Sequence, residues 1–205
     1  MIFHETKLPG VFEIYLDSKL DERGFFGRCW CQQEFESHGL NPKIVQCSVS
    51  FNARKGTLRG LHYQAHPHTE TKVVRCTRGA LYDVVVDLRP QSPTFKEWIA
   101  MVLTATNRCM VYVPEGCAHG FLTLEDETEV FYQMSEFYHA ELAYGVRWDD
   151  PAFQVVWPDV VAVISERDRT YPNLEEQSAL RADSENLSPV LRDRLVARLR
   201  RTCPV

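Results

Sequence analysis

The distribution of apolar and polar residues divides the chain into two stretches of different character. Through the first 160 positions, short segments rich in β-branched and aromatic residues recur: Lys72-Val73-Val74-Arg75-Cys76, Leu81 to Leu88, and Arg108 to Val113. Turn-forming stretches separate them: Arg78-Gly79, Arg89-Pro90-Gln91-Ser92-Pro93, Thr104-Ala105-Thr106-Asn107 and Pro114-Glu115-Gly116. Short strands at this spacing predict a β sandwich or barrel, and the lack of alternating strand–helix units argues against a Rossmann-type sheet. One helix is predicted within the stretch, around Cys31 to Ser37 and ending near Gly39. If Leu58 to Gln64 is a strand, positions 60, 62 and 64 share one face, so His62 and Gln64 point the same way.

From about Leu174 the pattern changes to polar and charged. Ser188-Pro189 reads as a cap and first-turn proline ahead of a helix in which Leu191, Leu195 and Leu199 share one face. Such a helix packs on the barrel or on a partner subunit; the rival is a basic helix lying on a membrane surface. The expected division is a β domain over 1–173 and a polar, helical extension over 174–205.

Composition adds exclusions. With 44% apolar and 25% charged residues in 205, the chain has the make-up of a globular protein large enough for one buried core. A net charge of −5 makes non-specific nucleic-acid binding a poor expectation. No apolar stretch approaches the ~20 residues of a membrane span, and the start, Met1-Ile2-Phe3-His4-Glu5, lacks the basic and apolar runs of a signal peptide. The seven cysteines are scattered without a CxxC pair. They suggest reduced, partly buried thiols in a cytoplasm rather than a zinc or disulfide framework.

Candidate chemistry is densest between Gly56 and Lys72, which holds Arg59, His62, Gln64, His66, His68, Glu70 and Lys72. Further polar points are Pro114-Glu115-Gly116-Cys117-Ala118-His119-Gly120, Phe131 to Tyr138 including Tyr132, and Ile164-Ser165-Glu166-Arg167-Asp168. Each alone has a structural reading. A strand histidine can be a satisfied core or surface residue, a strand tyrosine can be packing, a lysine a solvated charge, and Asp168 a turn or helix cap. Their density, on strands whose inward positions converge at a barrel mouth, favours a binding site.

These strings together resemble the dTDP-4-dehydrorhamnose 3,5-epimerase family, a group of cupin-type jelly rolls. The resemblance runs from Arg23 to Asp168 and is carried by Leu58-Arg59-Gly60-Leu61-His62-Tyr63-Gln64, Asp87-Leu88-Arg89, Ser92-Pro93-Thr94-Phe95, Val113 to Phe121, Trp148-Asp149-Asp150-Pro151 and Ser165-Glu166-Arg167-Asp168. It implies a mainly β jelly-roll barrel with a few short helices and a C-terminal helix, and a homodimer whose N-terminal strand crosses to the partner sheet. It also implies inversion at C3 and/or C5 of a nucleotide-diphosphate 4-keto-6-deoxyhexose, with neither cofactor nor metal. In that likeness His62 is the base, Asp168 the carboxylate that orients it, Lys72 the cation at the enolate oxygen and Tyr132 the acid on the opposite face. His119, with Asp83 as its expected neighbour, is a second polar wall. Arg23, Phe26, Arg28, Gln46, Ser48, Arg59, Tyr138 and Arg167 fall among the substrate-binding positions.

The chain departs from the family pattern at several of these positions. Arg28 stands where glutamate is common, Ser48 where asparagine is, and Arg167 where lysine is. The base, acid, lysine and aspartate all remain, so the changes bear on substrate rather than on reaction type. Two rivals carry different chemistry. A metal-dependent cupin could use His66, His68 and His119 as ligands, but Lys72 stands where the carboxylate ligand belongs and would repel the ion. A non-catalytic sugar-nucleotide-binding cupin would have lost His62, Tyr132 or Asp168.

Overall fold

The computed structural model describes residues 1–176. In chain order the strands are β1 (Ile2–Glu5), β2 (Phe12–Tyr15), β3 (Lys19–Asp21), β4 (Gly24–Phe26), β5 (Gln46–Asn52), β6 (Thr57–Gln64), β7 (Lys72–Arg78), β8 (Ala80–Asp87), β9 (Trp98–Thr104), β10 (Met110–Val113), β11 (Cys117–Thr123), β12 (Thr128–Met134), β13 (Ala143–Gly145) and β14 (Val163–Ile164). Two short helices, α1 (Gln32–Ser37) and α2 (Glu166–Thr170), and a 3₁₀ turn at Ala140–Leu142 complete the described chain. The predicted helix near Cys31 is α1, with Cys31 as its N-cap residue and Gly39 beyond its end at φ 72°.

The strands form two sheets. The first runs β1-β2-β10-β7-β12-β5 and the second β13-β6-β11-β8-β9, with β14 pairing parallel to β6 and the other described pairings antiparallel. This is the cupin-type jelly roll the sequence led us to expect. Between the sheets lies a core of Val74, Cys76, Leu81, Val85, Leu103, Val111, Phe121 and Val130. Strand β8 shows why its sequence is apolar at nearly every position. Leu81 and Val85 face this core, while Val84 and Val86 face a second cluster with Leu61, Ala118, Val146 and Phe153, beneath the segment that includes Trp157 and Leu174. A strand covered on both faces loses the alternation of a half-buried one.

The outer face of the first sheet is covered only in part. Helix α1 drives Phe35 against Tyr112, with ring centroids 6.0 Å apart, and Ile14, Val73 and Met110 join that cluster. Farther along, the edge strand β5 leaves Val49 and Phe51 exposed. The hairpin β3–β4 stands apart as a two-stranded sheet and exposes Leu20 by 83% and Phe26 by 80%.

The chain is tied to the body at least to Leu174, whose N–H donates to Asp150 Oδ2 at 2.7 Å. The helix expected after Ser188 lies outside the described residues. Among the described residues no helix is long and apolar enough to cross a membrane.

Candidate active site

A break in strand pairing sets the geometry of the site. Strand β11 pairs with β6 through His119↔His62 and Phe121↔Arg59, so one residue on β11 spans two on β6. The extra residue is accommodated at Gly60, whose φ of 137° suits glycine and whose added Cβ would lie 2.6 Å from the Gly120 Cα. A bulge reverses the alternation beyond it. Strict alternation puts Arg59 on the face opposite His62; instead Arg59, His62 and Gln64 all line one cavity of about 470 Å3.

The cavity opens between the sheets. From the second sheet come Arg59, His62 and His119; from the first come Gln46, Ser48, Lys72 and Tyr132. His62 and Tyr132 therefore stand on opposite walls. Tyr132 packs on the inter-sheet core and meets His119 edge to face, with centroids 6.2 Å apart.

His62 is held from behind. Its Nε2 lies 2.7 Å from Asp168 Oδ1, and Asp168 Oδ2 accepts the Gly60 N–H at 3.2 Å. Asp168 is buried in the first turn of α2, where Ser165, the N-cap, accepts its N–H at 3.0 Å. Burial pushes the Asp168 carboxyl up, but the His62 hydrogen bond and charge, with the Gly60 bond, outweigh it and leave the carboxyl below its ordinary value. The carboxylate is thus ionised and accepts, which assigns the hydrogen to His62 Nε2 and leaves the lone pair on Nδ1.

The opposite wall holds its proton. Burial, with the Asp83 charge adding to it, raises the Tyr132 hydroxyl far above its ordinary value of 10.0. Asp83 is itself fully buried and lies 2.8 Å from His119 Nε2, the pairing the sequence suggested. Lys72 reaches across from β7, donating to the His62 carbonyl at 3.5 Å. Its partner is Glu70 at 3.0 Å, both side chains being only 13–14% exposed.

Around this centre, Arg59 donates to Asn52 Oδ1 at 2.7 Å, and Arg167 to the Ala143 carbonyl at 2.8 Å. Gln46 accepts the Tyr138 N–H at 2.6 Å. Burial pushes the thiol of Cys117 up to about 12, and those of Cys76 and Cys109 up to about 11, which removes them as nucleophiles at neutral pH.

Most of the residues expected from sequence therefore meet at one place: His62, Lys72, Tyr132, Gln46, Ser48, Arg59, His119, Tyr138 and Arg167 line the cavity, with Asp168 directly behind. Arg23, Phe26 and Arg28 do not reach it within this chain. Arg23 pairs with Asp21 on the exposed hairpin, and Arg28 with Glu34 at 2.9 Å. Glu70 was expected only as a member of the polar cluster, with no role assigned, and Asn52 was not anticipated. The only signal for Glu70 was its place two residues before Lys72. His66, His68 and His119 do not assemble as one ligand set, since His119 is buried on Asp83 while His68 stacks on His139. A broader hollow of about 600 Å3, lined by Lys7, Lys96, Trp98 and Phe153 among others, contains none of the expected residues.

Comparison with known proteins bears on the family and the fold. A family model described as dTDP-4-dehydrorhamnose 3,5-epimerase matches residues 5–176. A dTDP-4-dehydrorhamnose 3,5-epimerase of Sinorhizobium fredii is 42% identical over 157 residues, covering 76% of this chain and 80% of the relative. The crystal structure of the enzyme of that name from Elizabethkingia anophelis superposes with a TM-score of 0.84 at 35% identity, covering 86% of this chain and 98% of that one. The Bacillus anthracis structure, with TDP and PPi bound, gives 0.81 at 39% identity, covering 84% and 99%.

Proposed function

The chain belongs to the dTDP-4-dehydrorhamnose 3,5-epimerase family and is an isomerase of nucleotide-linked 4-keto-6-deoxyhexoses, and we propose that His62 is its base, Tyr132 its acid and Lys72 its electrophile. The observation that carries the assignment is the placement of His62 and Tyr132 on opposite walls of one cavity. A 4-ketone acidifies the C–H bonds at C3 and C5, because the electron pair left behind is shared with the carbonyl oxygen as an enolate. The Nδ1 lone pair of His62 takes the proton from one face, and the Asp168 carboxylate stabilises the imidazolium that forms. The Lys72 ammonium meets the negative charge on the oxygen, a charge that develops in the transition state. Tyr132 returns a proton to the other face, and the carbon is inverted. No electron is gained or lost overall, so the chemistry calls for no redox cofactor, and the Lys72 ammonium supplies the positive charge that the enolate oxygen needs.

Arg59 and Arg167 suit the diphosphate, which a guanidinium can hold through two oxygens. Tyr138, exposed at the mouth, is placed to stack on a base. Arg23, Phe26 and Arg28 serve the site if the hairpin enters the cavity of a partner subunit. The exposed Leu20 and Phe26 support that arrangement, and with it a homodimer. Thymidine is the base favoured, because a related structure holds TDP. A cytoplasmic enzyme fits cysteines left as free thiols.

The test is incubation with a dTDP-4-keto-6-deoxyhexose in heavy water, followed by NMR. Wild type is expected to incorporate deuterium at the inverted carbons and His62→Ala to incorporate none while remaining folded. Exchange at the normal rate in His62→Ala would overturn the assignment. Titration with dTDP, CDP and GDP reads the base separately.

A further inference from the structure

Three residues outside the cavity lining meet at its rim. His68 comes from the loop between β6 and β7, and Glu136 and His139 from the segment after β12. Each offers one ligand atom, and the three atoms lie within 4.8 Å of one another. None of the three lines the cavity. We propose that His68, Glu136 and His139 form a site for a divalent transition-metal ion of the zinc type, separate from the catalytic groups.

Two imidazoles and a carboxylate are a donor set that such ions take readily. The two histidine-bearing segments are fastened to one buried side chain. Gln64 Nε2 donates to the His68 carbonyl at 2.5 Å and to the Phe137 carbonyl at 3.0 Å, while Gln64 Oε1 accepts the His139 N–H at 2.9 Å. The backbones that carry the ligands are thus fixed before any ion arrives. The rings stack, with centroids 3.9 Å apart and planes 13° from parallel, which holds the two imidazoles together beside the Glu136 carboxylate.

The neighbours fit the same reading. His139 Nδ1 is 3.3 Å from Glu141 Oε1, the carboxylate–imidazole support that orients a ligand ring and leaves Nε2 for the metal. Glu136 Oε1 accepts the Phe137 N–H at 2.9 Å, and its Oε2 faces the Lys43 ammonium at 3.4 Å. Lys43 therefore supplies a cation beside the carboxylate and competes with an incoming ion.

Tyr138 sits between Glu136 and His139 in the chain and does line the cavity. An ion at the rim would hold this segment, so substrate affinity rather than turnover would respond. That kinetic consequence rests on the cavity's being the nucleotide-sugar site; the metal site does not.

The experiment is titration of the EDTA-stripped full chain with Zn²⁺ against a chromophoric chelator, and with Co²⁺ read by absorption. One ion per chain is expected, in the micromolar range or tighter, with a Co²⁺ spectrum free of a thiolate charge-transfer band. His68→Ala, His139→Ala and Glu136→Gln are each expected to weaken binding by at least about tenfold, the loss that even a supporting group can bring. Lys43→Met is expected to tighten it, and His62→Ala to leave it unchanged. Lack of saturable binding, binding that survives all three ligand substitutions, or a thiolate band from Cys29, Cys31 or Cys47 would each overturn the proposal. The binding result is independent of turnover, so it stands apart from failure of the epimerase assignment.

Discussion

The Lys72 ammonium lies 3.0 Å from the Glu70 carboxylate, inside the cavity where an enolate oxygen is expected. Glu70 thus fixes the position of the charge that Lys72 presents. In Glu70→Gln the ammonium is no longer anchored by a charge. We expect kcat to fall about tenfold with KM changed by less than about twofold, because the lysine acts on a charge that forms only in the transition state. Steady-state kinetics on the 4-keto substrate reads the split; a rise in KM alone would make Glu70 a binding residue.

Removing the Tyr132 hydroxyl should separate proton loss from proton return. Tyr132→Phe is expected to exchange substrate hydrogen with heavy water while inversion falls by about 10²-fold or more, the usual contribution of a positioned acid. The raised pKa of the hydroxyl adds a pH signature. A phenol held above its ordinary 10.0 remains protonated through that value, so the wild-type ratio of inversion to exchange should stay flat up to pH 10. A break in that ratio below pH 10 would remove Tyr132 as the donor.

Acid stability should depend on Asp87. Its buried carboxylate accepts bonds from Arg89 Nε and Nη2, Ser92 Oγ and Thr94 Oγ1. Burial pushes its pKa up, but these bonds outweigh burial and hold it well below the ordinary 3.8. A group depressed in the folded state stabilises fully above the unfolded value and loses that contribution as pH falls below it. Asp87→Asn is therefore expected to cost about 3 kcal/mol at neutral pH. Its stability should also fall less steeply than that of wild type below about pH 4, where the unfolded carboxylate starts to titrate. Urea melts at pH 7 and pH 3 measure both; parallel losses in the two proteins would contradict the assignment.

The hairpin offers a test of assembly. Leu20→Ser with Phe26→Ser removes exposed apolar surface without touching the core. Light scattering is expected to show a dimer for wild type and a shift toward monomer for the double variant, with a raised KM from loss of the partner's Arg23 and Phe26. A dimer with unchanged KM would place the interface elsewhere.

Much of this was legible before the structure. The strands announce themselves through β-branched runs, and His62, Lys72, Tyr132 and Asp168 converge as their strings implied. What stayed hidden has specific causes. Gly60 reads as an ordinary strand position, so the bulge that brings Arg59 onto the face of His62 leaves no periodic trace. Glu70 and Gln64 act through partners set by tertiary contacts, His68 and His139 among them, and nothing in spacing predicts those. The hairpin was expected to hold substrate contacts, yet a single chain carries Arg23 and Phe26 away from the cavity, on a separate two-stranded sheet that leaves Leu20 and Phe26 exposed.

The Asp168–His62 bond joins residues 106 positions apart in sequence. By the time Met134 is in place, the paired strands β5 to β12 have all their residues, and His62 already stands on its strand. Its ring is still without the carboxylate that sets its tautomer, since α2 follows more than 30 residues later. During synthesis, then, a barrel can close before it can catalyse. Truncation just ahead of Ser165 removes both the carboxylate behind His62 and Arg167 of the cavity wall, and should turn nothing over, so activity reports that synthesis has passed Asp168.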